Sequence, residues 1–134
     1  MTLVVDASVA VKWVVPEEGS TAAVALREHE SHLIAPSLVI AEICNALWKK
    51  ALRGEINKHE AISALHLAVS HFAEFVPLDG FRKTALELAI DLRHPIYDCF
   101  YLALAERERC PLVTADARLV AAAKRAKGIA LRAL

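Results

Sequence analysis

The sequence predicts an α/β domain: a three-layer sandwich with a central parallel sheet of four to five strands and helices on both faces. Two observations predict it. Short runs rich in Val, Leu and Ile alternate with longer segments whose apolar residues recur at helical spacing. Strands separated by helices pair in parallel through right-handed crossovers. The 134 residues contain no linker, repeat or low-complexity stretch, so residues 1–134 are expected to form one domain.

Leu3-Val4-Val5 reads as the first strand, and Ser8 to Val15 as a helix stopped by Pro16. Ser20 is expected to cap a second helix running to about Glu30. His32 to Ala35 is the second strand, with Pro36 at its end. From Ser37 to Arg53 the apolar residues Val39, Ile43, Ala46, Leu47 and Ala51 mark a helix that Gly54 terminates. Lys58 to Phe72 is the next helix, with Ile62, Leu65, Val69 and Phe72 on one side. Phe75 to Leu78 is the third strand, and Asp79 is expected to cap a helix from about Phe81 to Leu92. His94-Pro95 breaks that helix, and Ile96 to Arg107 forms another. Leu112-Val113-Thr114 is the fourth strand, Ala117 to Lys127 the last helix before Gly128, and Ile129 to Leu131 a short fifth strand.

Composition narrows the function classes. The chain is 56% hydrophobic but only 6% aromatic, so Ala, Val, Leu and Ile must build the core. That content exceeds the usual ~45–50%, and predicts an apolar surface patch covered by a partner or a second copy. Net charge is zero, yet residues 1–30 balance at −3 (two basic, five acidic) and residues 107–134 at +5 (seven basic, two acidic). A polyanionic partner therefore remains compatible with the neutral total. Cys44, Cys99 and Cys110 have no paired spacing, which argues for a reducing compartment rather than a disulfide framework. No zinc-ligand spacing occurs, and no stretch of 18 apolar residues or signal segment is present, so a cytoplasmic protein without a membrane span is expected.

Four carboxylates stand out. Asp6 follows the first strand and Asp116 the fourth, at the sheet edge where open α/β domains gather ligands. Each has a hydroxyl two residues away, Ser8 and Thr114, and each alone could simply cap the helix that follows. Glu42 interrupts the apolar stretch Val39-Ile40-Ala41-Ile43-Cys44 and shares a helical stripe with Leu38, Asn45 and Lys49; a solvent-facing stripe is the plain alternative. Asp98 lies in Ile96-Tyr97-Asp98-Cys99-Phe100-Tyr101, where its neighbours are apolar or aromatic. A lone buried carboxylate is costly unless paired, protonated or bound to a cation. If the four converge, each pair at 4 Å repels by roughly 4 kcal/mol at an effective dielectric near 20. An all-oxygen donor set without Cys or His points to Mg²⁺ or Mn²⁺ rather than Zn²⁺, and such an ion can activate water against a phosphodiester.

Taken in order, Leu3-Val4-Val5-Asp6-Ala7-Ser8, Glu42 with Asn45 and Leu47, Tyr97-Asp98 leading into Tyr101-Leu102-Ala103-Leu104-Ala105-Glu106, and Leu112-Val113-Thr114-Ala115-Asp116 resemble the PIN domain. Length and coverage resemble the VapC-type toxins of bacterial toxin–antitoxin pairs. The resemblance implies a Mg²⁺- or Mn²⁺-dependent endoribonuclease with Asp6, Glu42, Asp98 and Asp116 as its acidic site. Within that set, Asp6, Asp98 and Asp116 are expected to hold the metal directly or through water, Glu42 to join in ligation or help activate the attacking water, and Ser8, Thr114 and Asn45 to support them. It also implies an RNA substrate, a homodimer and a cognate VapB-type antitoxin. Three rivals fit less well. A signalling receiver domain needs an acidic pair after the first strand and a lysine after the last, whereas Asp6 is followed by Ala7-Ser8 and the last strand leads only to Arg132. An aspartate-nucleophile phosphatase would want Asp at position 8. A non-catalytic RNA-binding module on the same fold would be expected to have lost a carboxylate.

Overall fold

The computed structural model describes residues 1–30 and 32–134. Five parallel strands form one sheet in the order β3-β2-β1-β4-β5: β1 (Thr2–Val5), β2 (His32–Pro36), β3 (Glu74–Val76), β4 (Leu112–Val113) and β5 (Leu131–Arg132). Leu3 pairs with Leu33 on one side, and Val5 with Val113 on the other. The chain winds outward from β1 through β2 to β3, then crosses over to β4 and β5. The order therefore reverses between β1 and β4, the position at which such sheets open a crevice at the strands' carboxyl ends.

Among the described residues, seven α-helices connect the strands: α1 (Ala7–Val14), α2 (Ser20–His29), α3 (Val39–Leu52), α4 (Lys58–Ser70), α5 (Arg82–Leu92), α6 (Ile96–Glu108) and α7 (Ala117–Arg125). Helices α1 to α4 pack among themselves, whereas α5 packs on α6 and α6 lies against β1, β2 and β4. Leu3, Val4 and Val5 are completely buried, as both-face coverage requires of a central parallel strand. Helix α6 adds Tyr101, Leu102 and Leu104 to the same core. No helix among the described residues is long and apolar enough to cross a membrane.

Several local expectations need correction. Ser20 is the first residue of α2 rather than its cap: Gly19 takes that place at φ 87°, and the Ser20 hydroxyl accepts from the Glu17 amide at 2.9 Å. Asp79 does not cap α5 either, because it lies in a 3₁₀ turn (Leu78–Gly80) and Phe81 precedes the helix. In α4 the buried residues are Ala64 and Ala68, while Ile62 is exposed. Alanines let α4 approach α3 and α1 closely, which a stripe of larger residues would prevent. The start of α4 is fixed by a reciprocal pair, Asn57 with the Glu60 amide and Glu60 with the Asn57 amide.

Candidate active site

Asp6, Glu42, Asp98 and Asp116 line a single cavity of about 730 Å³ at the carboxyl edge of the sheet, beside the switch between β1 and β4. Four elements supply them: the end of β1, the first turn of α3, the first turn of α6 and the loop after β4. Ser8, Asn45 and Tyr101 line the same space.

The two strand-end aspartates do both things that the sequence allowed. Asp6 caps α1, accepting from the Val9 amide, and Asp116 caps α7, accepting from the Arg118 amide at 2.9 Å. Capping and facing the cavity are therefore compatible. Two hydroxyls fasten this edge together. Ser8 Oγ donates to Asp6 Oδ1 at 2.6 Å and accepts from the Ala115 amide at 3.0 Å. Thr114 Oγ1 donates to Asp6 Oδ2 at 2.7 Å and accepts from the Asp116 amide at 3.0 Å. Both side chains thus tie the ends of β1 and β4 to one carboxylate.

Asp6 is only 6% exposed. Burial pushes its pKa up to about 6, against the opposing pull of Ser8, Thr114 and the Val9 amide, with the Glu42 charge adding slightly. Glu42 is also raised, first by burial and further by the charges of Asp98 and Asp116; a hydrogen bond from Tyr101 Oη at 2.5 Å works against this. Burial and the Glu42 charge hold the Tyr101 phenol well above its usual range, so it is a neutral donor. Asp98 Oδ2 meets His94 Nε2 at 2.6 Å, a contact made possible where Arg93 ends α5 in the left-handed conformation (φ 51°) and the chain turns directly into α6.

None of the four carboxylates forms an ion pair with Lys or Arg among the described residues. Nor do any three Asp, Glu, His or Cys side chains there stand close enough to form a ready-made cation cage. The donor set nonetheless suits a hard divalent cation: all oxygen, mutually repelling, with a buried Asp6 that no protein cation offsets. Asn45 lines the cavity without a side-chain hydrogen bond among the described residues.

The basic residues of the cavity are not those of the C-terminal segment. Arg107 stacks over Phe81, Arg125 donates to the Leu92 carbonyl and Arg132 pairs with Glu30. Lys12, Lys49, Lys50 and Arg53 line the cavity instead, together with Glu17. Sequence gave no sign of the Lys12–Glu17–Lys50 grouping, since 33 residues separate Glu17 from Lys50. Of the cavity's basic residues, sequence links only Lys49 to a candidate site residue, through the stripe of Glu42 and Asn45. On α3, Trp48 is 58% and Leu52 70% exposed.

Comparison with known proteins places this geometry in context. The family model described as PIN domain matches residues 3–125. Ribonuclease VapC3 of Pyrobaculum aerophilum is 35% identical over 127 residues, covering 89% of this chain and 92% of that one. Ribonuclease VapC12 of Mycobacterium tuberculosis is 32% identical over 117 residues, covering 87% and 88%. A third relative, exonuclease VapC9 of Pyrobaculum aerophilum, is 35% identical over 99 residues, covering 72% and 71%. Among solved structures, PAE2754 from Pyrobaculum aerophilum superposes with a TM-score of 0.75 at 27% identity, over 97% of this chain and 83% of that one. VapBC2 from Rickettsia felis, bound to a DNA fragment from its promoter, gives 0.74 at 18% identity over 100% and 99%, a likeness of fold.

Proposed function

Because this chain belongs to the PIN domain family, we propose that it is a Mg²⁺- or Mn²⁺-dependent endoribonuclease, acting as the toxin of a toxin–antitoxin pair. The observation that carries this reading is the cavity at the strand switch, where Asp6, Glu42, Asp98 and Asp116 come from four separate elements and none of the four is paired to a lysine or arginine among the described residues.

Asp6, Asp98 and Asp116 would hold the cation. When bound, Mg²⁺ or Mn²⁺ neutralises the carboxylates, lowers the pKa of water and stabilises negative charge on the phosphoryl oxygens. Ser8 and Thr114 hold both oxygens of Asp6 in place, so the carboxylate needs little reorganisation. Tyr101 occupies Glu42 Oε1 and leaves Oε2 to accept a proton. Attack of water on phosphorus forms one P–O bond and breaks the bond to the departing ribose oxygen; Glu42 takes the proton that the water loses, and the departing oxygen takes a proton from a solvent water in the open cavity. Its raised pKa makes it a better base than an exposed glutamate.

The names of the relatives support ribonuclease chemistry, and one protein of like fold is a toxin–antitoxin complex from Klebsiella pneumoniae. On this reading the partners are a VapB-type antitoxin and, as the family resemblance implies, a second copy of the chain; exposed Trp48 and Leu52 on α3 would supply apolar area for such contacts. Cleavage of a total RNA pool with and without Mg²⁺ tests the chemistry, with Asp6→Asn and Asp98→Asn alongside. Activity undiminished in both variants would refute the assignment. A circular RNA separates internal cleavage, which linearises it, from the end-dependent degradation suggested by the name of the VapC9 relative.

A further inference from the structure

The cavity has two electrostatic ends. On α1, Asp6 stands at the start and Lys12 lies six residues on, roughly 9 Å along the axis. On α3, Glu42 is in the first turn, with Lys49 and Lys50 seven and eight residues on, roughly 10–12 Å away. Helices α1 and α3 pack together. Their acidic starts share the site, and their basic ends are joined by Glu17, in the short link between α1 and α2. Lys50 Nζ donates to Glu17 Oε2 at 2.7 Å, and Lys12 Nζ donates to Glu17 Oε1 at 3.1 Å. One carboxylate thus spans two ammonium groups with its two oxygens, the arrangement that a phosphodiester's two non-bridging oxygens would adopt.

Lys50 is only 8% exposed yet lines the cavity, so an anion is needed beside it. Burial pushes the Glu17 carboxyl up, but the bonds and charges of Lys50 and Lys12 together outweigh it and hold the group below its usual range, which keeps it ionised. Glu17 belongs to no helix or strand and its side chain is 28% exposed, so it can turn outward while Lys12 and Lys50 stay on their helices. Lys49 is exposed and forms no ion pair among the described residues, and Arg53 pairs only with exposed Glu55. Both can follow a polyanion outward from Lys50.

We infer that Lys12 and Lys50 form a binding subsite for a backbone phosphate of single-stranded RNA next to the scissile one, and that Glu17 fills it as a phosphate mimic in the free protein. This rests on the ribonuclease reading for the identity of the polyanion. RNA displaces the Glu17 carboxylate from both lysines, and Glu17 lowers the affinity for every strand that enters. The subsite recognises charge and spacing and not base identity, because two ammonium groups read only the backbone.

The test is fluorescence anisotropy with a labelled, unstructured single-stranded RNA oligonucleotide on the full chain, in chelator so that cleavage plays no part. Glu17→Gln is expected to bind about three- to ten-fold more tightly than wild type. Glu18→Gln removes the same charge next door from a side chain that pairs with neither lysine, and should change binding by less than about two-fold. Lys12→Gln should weaken binding and flatten the dependence of log Kd on log salt by about 0.7, one phosphate contact on a single strand. On the Lys12→Gln background, Glu17→Gln should lose most of its gain, since the two act through one contact. Circular dichroism melts confirm that each variant is folded; should Lys12→Gln not fold, Lys12→Arg, which keeps the charge, should bind as wild type does. Equal gains from Glu17→Gln and Glu18→Gln, or no gain from either, overturn the subsite. Failure of the nuclease reading shows separately, as absence of Mg²⁺-dependent cleavage by the wild type.

Discussion

Tyr101 Oη donates to Glu42 Oε1 at 2.5 Å, a bond that joins α6 to α3 across the cavity. The phenol is buried and neutral, and its effect is to hold down a carboxyl pKa that burial, Asp98 and Asp116 all push up. Tyr101→Phe removes the donor and keeps the ring. The pKa of Glu42 should then rise further, so a reaction that needs it ionised requires a higher pH. The acid limb of the cleavage rate–pH profile should move upward, and stability should fall by about 1 kcal/mol. An unmoved acid limb with full activity would remove Glu42 from proton transfer.

Asp6 makes the fold's stability depend on pH in an unusual direction. Its pKa rises from 3.8 to about 6 on folding, so between those values the folded chain binds more protons than the unfolded one. Stability contributed by this group is therefore greatest when it is protonated, declines as pH rises through that window, and stays low above it. A shift of roughly two units corresponds to about 3 kcal/mol. Asp6→Asn should be more stable than wild type near pH 8 by up to that amount, less whatever its amide loses in facing Thr114, and nearly equal to it near pH 4. Urea denaturation at both pH values measures the difference. A variant less stable at the higher pH would show that the hydrogen bonds of Asp6 outweigh its burial.

His94 sits behind Asp98 as an orienting partner, with Nε2 on Oδ2 at 2.6 Å and a side chain only 9% exposed. Losing such an orienting partner typically costs 10–100-fold in metal affinity. His94→Ala should therefore raise the Mg²⁺ concentration for half-maximal cleavage by about ten-fold or more, while the rate at saturating Mg²⁺ changes little. A loss of rate at saturation with no change in the Mg²⁺ requirement would assign the histidine to the chemistry itself.

The strand–helix alternation was legible because β-branched runs and helical apolar spacing are local signals; the strand order β3-β2-β1-β4-β5 was not, since crossover handedness alone does not fix which strands are neighbours. Helix starts were less legible. Ser20 and Asp79 have capping side chains, but the backbone before each adopts a different turn, so the cap falls elsewhere. In α4, residue size decided which side was buried: Ala64 and Ala68 face the core because the neighbouring helices are close, a tertiary constraint absent from the spacing of Ile62 and Leu65. Asp6 and Asp116 could be placed from strand ends alone, and Asp98 from its apolar surroundings. Glu42 is singled out chiefly by the family resemblance; the stripe it shares with Asn45 and Lys49, read in sequence as a face that could simply meet solvent, faces the cavity. His94 reads in sequence only as a helix break, Tyr101 only as apolar filling, and Lys12, Glu17 and Lys50 as unrelated surface charges. Each acquires its role through a partner distant in the chain or across a turn, which periodicity cannot encode.

Divalent cation binding should itself be visible in stability. An ion that binds the folded chain alone stabilises it by about 2.7 kcal/mol at one hundred times its Kd. Relief of the cost of ionised Asp6 and Glu42 is part of what sets that Kd. Mg²⁺ at neutral pH should therefore raise the wild-type Tm by several degrees beyond the effect of Na⁺ at equal ionic strength. Asp6→Asn and Asp98→Asn should each lose most of that increment, although Asp6→Asn begins from a higher Tm. The opposite signs matter: the same substitution that stabilises the metal-free fold should abolish the gain from metal. Differential scanning calorimetry with and without Mg²⁺ measures both. An equal Mg²⁺ increment in wild type and both variants would place the cation elsewhere on the protein and leave the four carboxylates without a metal.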